Sequence, residues 1–433
     1  MAMKPTDSNP GGSSRPIRLA YVVSHPIQYQ APLLRELAAD PSIDLCVFFC
    51  SDFSIRAYRD SGFGAEVRWD VPLTEGYRSV VLPRWRETTS PRTFAPIARG
   101  FLRHFARGLN GQRFDAVWVH GYSTVNSLHA ILAARTLGIP VLLRAEPWLA
   151  DRPRSAWRLA LKRLFFTGLR SLISAVLPIG TRNAEYWSYY FGARFPAFLV
   201  PYAVDNDRFA AQIAQQYLAA PESLDLEPGR PVILFASKLQ ERKHCDDLLE
   251  AYLLLTADMP ADQQPHLLIV GDGEQMPMLR ARVAAVNAPL VRFAGFRNQT
   301  ELPGIFALST VFVLPSRHEP WGLIVNEAMA CGLPVIVSDE VGCAVDLVQN
   351  GANGFIVPAR DIAALAEALR SVLLPGVAQR RGECSRQRIA KWSFAEDRNG
   401  LKAALSFVTR LPVAAAQDGI LPAVRNDHAS RAL

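Results

Sequence analysis

Residues 311–339, VFVLPSRHEPWGLIVNEAMACGLPVIVSD, read as one strand, loop, helix, strand unit, and that reading decides the fold. Val311 to Leu314 is a short apolar run of the kind buried in a parallel sheet, and Gly322 to Ala330 predicts a helix that Gly332 and Pro334 end. Val335 to Val337 supplies the next strand. Glu319 then falls in the loop at a strand's carboxyl end, where open α/β sheets bind ligands, and Glu327 about two turns into the helix. The unpaired amides of Trp321, Gly322 and Leu323 at the helix start would face an anion. A carboxylate accepts two hydrogen bonds from neighbouring hydroxyls, so this pair suits a sugar and a ribose with a diphosphate between them. That combination is a nucleotide sugar.

The same alternation runs outward from the unit. PVILFAS (231–237), HLLIVGDG (266–273), VRFAGF (291–296) and GFIVP (354–358) read as further strands of its sheet. An earlier series opens with IRLAYVVS, the loop HPIQYQ, a helix through APLLRELAAD and the strand IDLCVFFC. It continues at AVWVH (116–120), PVLLRA (140–145), AVLPIG (175–180) and AFLVP (197–201). The expected fold class is α/β, with two doubly wound parallel-sheet domains facing across a cleft. The polar, turn-rich stretch from Val200 to Pro231 reads as their connection. The expected boundaries are a disordered tail at 1–16, an amino-terminal domain at 17–203, a carboxyl-terminal domain at 204–411 and a loosely ordered tail at 412–433. The last helices before that tail are free to return to the first domain.

A chain of 433 residues with 49% hydrophobic content has room for two or three full cores. No apolar stretch is long enough to span a bilayer, and MAMKPTDSNPGGSSRP lacks the apolar centre of a secretion signal. The cytoplasm, including the inner face of the membrane, is the expected location. Six cysteines (46, 50, 245, 331, 343 and 384) form no paired CxxC knuckles, which argues against a zinc or disulfide framework. The net charge of +7 is uneven: residues 1–200 hold 25 Lys plus Arg against 14 Asp plus Glu, or +11, leaving −4 for the remainder. A basic first half suggests an anionic surface or acceptor. Its densest part, 152–170, has six basic residues, no acidic one, and Trp157, Leu159, Leu161, Leu164, Phe165 and Phe166 between them. Two readings stand side by side, a membrane-surface helix and an amphipathic helix whose apolar face covers the sheet. Nucleic acid is not an expected partner, since no nucleic-acid-binding motif accompanies the charge.

In SKLQERKHCDD, Lys238 and Lys243 flank a loop that opens a helix near Cys245, and both ammonium groups are expected beside Glu319. Two cations there would neutralise a diphosphate and stabilise the charge a departing nucleotide takes up. They supply what magnesium would otherwise bring, so chemistry without metal or cofactor is expected, and Asp205-Asn206-Asp207 is read as structural. His120 ends the strand AVWVH, where it can hydrogen-bond a sugar or serve as a satisfied core histidine. His25, Gln28 and Tyr29 occupy the first loop, with Gln28 and Tyr29 assigned to the acceptor. Gly271 and Gly273 give a tight turn where backbone can approach a nucleotide, without the full GxGxxG of a dinucleotide dehydrogenase. Arg144 and Glu146 are similarly placed and can pair with each other.

PSRHEPWGLIVNEAMACGLPVI, with Glu319 and Glu327 separated by seven residues, closely resembles the signature of the retaining nucleotide-sugar glycosyltransferases of family 4, whose fold is GT-B. Weaker similarity runs from about Arg18 to about Ser406. The resemblance implies hexosyl transfer, with retention, from a nucleoside diphosphate sugar to a carbohydrate or lipid-linked acceptor in cell-envelope or exopolysaccharide synthesis. By the same resemblance Glu319 holds donor hydroxyls, Glu327 the ribose, and Lys238 and Lys243 the diphosphate. His120 contacts the sugar near the reaction centre, making His120, Glu319 and Lys243 the catalytic set. The loops at Gly271, Gly273 and Arg297 border the base. The chain departs from the family pattern at two loops: Lys238 and Lys243-His244 stand where an arginine and a Lys-Gly pair are usual, and SHPIQYQ replaces a glycine-rich turn. The alternatives are an epimerase of the same twin-sheet fold and a nucleotide-sugar-binding subunit without turnover.

Overall fold

The computed structural model describes residues 15–86, 88, 93–151, 154–216 and 224–412; of the tails expected at 1–16 and 412–433, residues 1–14 and 413–433 lie outside the described residues. Arg15 is held in place, its guanidinium 2.7 Å from Asp115. The first half runs β1 (Ile17–Val23), α1 (Ala31–Ala39), β2 (Ile43–Phe49), β3 (Tyr58–Arg59), β4 (Glu66–Val67), β5 (Arg78–Val81), β6 (Arg84–Trp85), β7 (Ile97–Ala98) and α2 (Phe101–Arg107). Then come β8 (Ala116–His120), α3 (Val125–Thr136), β9 (Val141–Arg144), α4 (Ala156–Arg170), β10 (Ala175–Val176) and α5 (Thr181–Phe191). The second half runs α6 (Asn206–Gln216), β11 (Val232–Ala236), α7 (Cys245–Thr256), β12 (His266–Val270), α8 (Met276–Ala285), β13 (Val291–Gly295) and α9 (Leu302–Leu308). It closes with β14 (Val311–Leu314), α10 (Leu323–Ala330), β15 (Val335–Ser338), α11 (Ala344–Leu347), β16 (Gly354–Val357), α12 (Ile362–Val372), α13 (Val377–Ile389) and α14 (Phe394–Thr409).

Two six-stranded parallel sheets result, in the orders β10-β9-β8-β1-β2-β5 and β13-β12-β11-β14-β15-β16. Both are doubly wound, with the chain reversing its winding between β1 and β8 in one sheet and between β11 and β14 in the other. Their strands are near-continuous apolar runs because helices cover both faces. In the first sheet α2, α3, α4 and α5 pack on one face, and α1 and α14 on the other. In the second, α6, α9, α10 and α13 oppose α7, α8 and α12. Among the described residues, no single helix is long and apolar enough to cross a membrane.

Several sequence expectations need correction. AVLPIG is strand only at Ala175–Val176, and AFLVP forms no strand, touching β10 through one bridge between Val176 and Ala197. The turn-rich connection contains a helix, α6, because Phe209 buries beside Phe306, at 6.4 Å, and the intervening Ala and Gln residues favour helix. Unpaired cysteines are by default small buried hydrophobes, which holds for five of the six but not for the exposed Cys384. Arg144 does not pair with Glu146. It is buried and bonds to Asp397 of α14 at 2.9 Å and to the carbonyls of Val200 and Pro201 at 2.9 and 3.0 Å.

Candidate active site

Strand order dictates where a ligand goes, since a doubly wound sheet opens a crevice at the carboxyl ends of the strands where its winding reverses. In the second sheet those strands are β11, followed by Lys238 to Lys243, and β14, followed by Ser316 to Glu319. In the first they are β1, followed by His25 to Tyr29, and β8, which ends on His120. Residues from both sheets line one cavity of about 380 Å³, among them His25, Gln28, Tyr29, Lys238, Arg242, Lys243, Arg297 and Glu327.

Charge concentrates on the wall from the second sheet. Lys243 Nζ donates to Glu319 Oε2 in a short contact, and Arg242 approaches the same oxygen at 3.0 Å. Burial pulls the Lys243 ammonium below its ordinary pKa, and Glu319 opposes that shift. The two loops are stitched together by the Arg317 amide on the Arg242 carbonyl at 2.7 Å. Lys238 departs from the expectation: its ammonium reaches Asp60 of the first domain at 2.8 and 2.9 Å rather than Glu319, and sits 4.7 Å over the Phe63 ring. The two lysines share a cavity but diverge within it.

Glu327 is the fifth residue of α10, one turn rather than two from its start, because Gly322 caps the helix at φ 94° and helical geometry begins only at Leu323. It is buried, and its Oε2 has no hydrogen-bond partner among the described residues. Burial lifts its carboxyl to about 8, with Gln299 and Arg208 pulling the other way. Leu323 lines the cavity, whereas Trp321 is buried in the core and donates its indole N–H to Asn326 at 3.0 Å. Gly271 and Gly273 have a packing reason to be glycine. At φ 123° and 154°, a Cβ on either would strike the carbonyl of Ser237 or Leu239, at 1.9 and 2.6 Å. Their absent side chains let the Lys238 loop lie against this turn. Arg297 is held at 3.0 Å by Glu301.

The first-sheet wall is a hydrogen-bond network. His120 Nε2 lies 3.4 Å from the Tyr202 hydroxyl and 3.8 Å from Glu146, and Gln30 reaches its ring at 3.4 Å. Tyr202 also donates to Glu146 in a short contact, and Tyr29 does so at 3.4 Å. Of this network Tyr29 lines the cavity, and His120 is linked to it through Glu146 without itself being among the lining residues. Burial, and then the neighbouring His120, hold His25 near 4, so it is neutral at pH 7.

Sequence reasoning missed four contributors. Arg242 lay unremarked inside SKLQERKH, although it is a third cation in a loop already assigned to phosphate. Asp60, Phe63 and Trp69 come from residues 58–70, where Phe63 and Trp69 pack on Phe296 at 4.8 and 6.2 Å, Asn298 donates to the Arg68 carbonyl at 2.6 Å and the Thr300 amide donates to Asp70 at 3.1 Å. No sequence spacing marks a contact made across 178 positions.

Asp205 accepts the Arg208 amide at 3.0 Å in a local turn and Asn206 ties the chain to the distant carbonyls of Ile389 and Trp392, so both side chains serve structure. Among the described residues one His/Asp group, His244, Asp246 and Asp247, has ligand-type atoms within 4.8 Å of one another. His244 Nδ1 already lies 3.2 Å from Asp247.

Two Rossmann-like sheets that share one charged cleft define a GT-B architecture, and solved structures of that class superpose on nearly the whole chain. Sucrose-phosphate synthase from Thermosynechococcus elongatus aligns at TM-score 0.64 and 20% identity, covering 90% of this chain and 98% of its own. The α,α-trehalose 6-phosphate synthase from Burkholderia multivorans aligns at TM-score 0.65 and 15% identity, covering 92% and 99%. Residues 219–388 match the family model described as glycosyl transferases group 1. Glycogen synthase from Mycobacterium tuberculosis is 37% identical over 164 residues, 37% of this chain and 38% of the relative. A Corynebacterium glutamicum protein, named a GDP-mannose-dependent monoacylated alpha-(1-6)-phosphatidylinositol monomannoside mannosyltransferase, is 30% identical over 204 residues, 45% of this chain and 52% of the relative. The chain thus matches between about two fifths and one half of the length of these curated relatives.

Proposed function

We propose that the protein transfers a hexosyl group, with retention, from a nucleoside diphosphate sugar to a carbohydrate or lipid-linked acceptor, in cell-envelope or exopolysaccharide synthesis on the cytoplasmic side. One observation carries the reading: Arg242 and Lys243 line a cavity together with Lys238 and Glu327, and both hold the buried Glu319 directly behind that wall. The cations suit a diphosphate, Glu319 the hydroxyls of the transferring sugar, and Glu327 the ribose. Lys243 exchanges Glu319 for phosphate as sugar hydroxyls take the carboxylate.

In the reaction the bond from the anomeric carbon to phosphate breaks, and the acceptor oxygen bonds that carbon from the same face. The acceptor's proton passes to the departing phosphate oxygen. Negative charge builds on that phosphate in the transition state, where fixed cations stabilise it most. His120, oriented by Glu146 and Tyr202, assists from the opposite wall. Three side-chain cations serve where a metal otherwise would, so turnover insensitive to EDTA is the expected outcome.

The deciding experiment incubates the protein with a panel of UDP- and GDP-sugars, with and without cell-envelope lipid extract, and follows nucleotide release and product anomeric configuration. Acceptor-dependent release that Glu319→Gln abolishes supports the reading. Absence of release with every donor, together with no calorimetric affinity for UDP or GDP, rejects it.

A further inference from the structure

Helix α4 has two apolar faces, and the fold uses only one. At 100° per residue, Leu159, Phe166 and Leu169 fall on one side of the helix, and that side packs inward. Phe166 lies 5.0 Å from Tyr122 and 4.5 Å from Tyr190 between ring centroids. Trp157, Leu161, Leu164 and Phe165 fall on the other side within an arc of about 100°. They are 60%, 57%, 71% and 38% exposed. A helix that only covers a sheet needs one apolar stripe and a polar remainder. Covering the sheet accounts for Leu159, Phe166 and Leu169 and for the inner edge of Phe165, and leaves Trp157, Leu161 and Leu164 unexplained.

Arg158 borders the outer stripe, with its guanidinium 5.2 Å over the Trp157 ring, whereas Arg163 turns to the inward side, about 40° from Leu159, and lies over Tyr189 at 5.3 Å. Arg170 ends the helix, and no acidic residue occurs from 152 to 170.

We propose that α4 is a docking surface for an anionic membrane. Trp157, Leu161, Leu164 and Phe165 enter the boundary between headgroups and acyl chains, while Arg158 at the edge of the stripe meets a lipid phosphate. Charge chooses this occupant. A second copy docking by twofold symmetry would bring the same all-cationic helix against itself, whereas an anionic bilayer complements both the helix and the net +11 of residues 1–200. The stripe also lies close to the cleft: the Phe165 ring is 6.1 Å from Tyr122, two residues beyond His120. Docking through α4 therefore holds this wall of the cavity near the bilayer surface.

The test is flotation of the full chain with vesicles of phosphatidylcholine alone and with about one third phosphatidylglycerol. The protein is expected to float with the anionic vesicles, less so as salt rises, and Trp157→Ser and Leu164→Ser are each expected to weaken partitioning about tenfold. Both positions are exposed, so unchanged thermal unfolding and unchanged UDP or GDP affinity serve as controls for folding. Those controls also keep the outcome separate from the sugar-transfer reading. Absence of flotation, flotation indifferent to phosphatidylglycerol, or variants that partition like the parent would overturn the proposal. So would a concentration-dependent dimer that Leu164→Ser dissolves in the absence of vesicle binding, which would give the stripe to a second copy.

Discussion

Glu327 lines the cavity with one carboxyl oxygen that has no partner among the described residues, and its burial links the site to the stability of the fold. The group ionises near 4.5 when unperturbed and near 8 in place, so between those values the folded chain holds a proton that the unfolded chain has released. Stability must then fall as pH rises through that window and level off above about 8. Glu327→Gln removes the titration. Urea unfolding at pH 5 and pH 9 is expected to show a decline of a few kcal/mol in the parent and little of it in the variant, with nucleotide affinity lost at both. Equal declines in the two proteins would refute the assignment. Glu319→Gln strands the buried Lys243 ammonium and should cost about 3–5 kcal/mol of stability, Lys243→Met less because Arg242 still pairs with Glu319, and the double variant less than the sum. Lys243→Met should also lower kcat about a hundredfold or more, as loss of an oxyanion partner does.

The segment 58–70, with its β3–β4 hairpin, reaches from the first domain into the wall of the second. Asp60 neutralises Lys238, and both Lys238 and the outer cavity wall rest on aromatic side chains of this segment. A diphosphate and Asp60 compete for one ammonium group. Asp60→Asn is therefore expected to tighten UDP or GDP binding several-fold in titration calorimetry, by lifting that competition. Weaker binding would mean instead that Asp60 touches the ligand. Little of this element was legible beforehand. Two-residue strands show no periodicity, and the decisive partner of Lys238 lies far away in the chain. The strands of the second sheet, by contrast, are unbroken apolar runs bounded by Gly, Pro and charged loops, and they were readable for that reason. So was the pairing of Glu319 with Lys243, which follows from two loops at adjacent strand ends. Helix α6 was missed because its Ala and Gln content reads as polar linker, although Phe209 and Ile213, four residues apart, mark a buried face.

At the scale of the molecule, the chain builds one domain, builds the second, and then returns. Helix α14, opened by a capping box of Ser393 and Glu396, lies on the first sheet and anchors there through Asp397 on Arg144, Lys402 on Asp40 and Arg398 on Glu36. The Arg144 and Asp397 side chains are both almost fully buried, so Asp397→Ala is expected to cost about 3–5 kcal/mol in denaturant unfolding, and Arg144→Met with Asp397→Leu together much less. Full stability in Asp397→Ala would show that the pair is not needed.

That return has a mechanical corollary. The outward pass near Tyr202 to Asn206 and the homeward pass near Ile389 to Trp392 run side by side, joined by the Asn206 amide on the carbonyls of Ile389 and Trp392 at 3.0 and 3.2 Å, and Trp321 rests against Trp392 at 5.5 Å. A gate hung from two neighbouring pins swings about a single line and resists every other twist. The lobes of this protein meet at one such line, so any turn of one against the other would have to pass about it and break the contacts of Thr181 with Asp346 and Lys238 with Asp60.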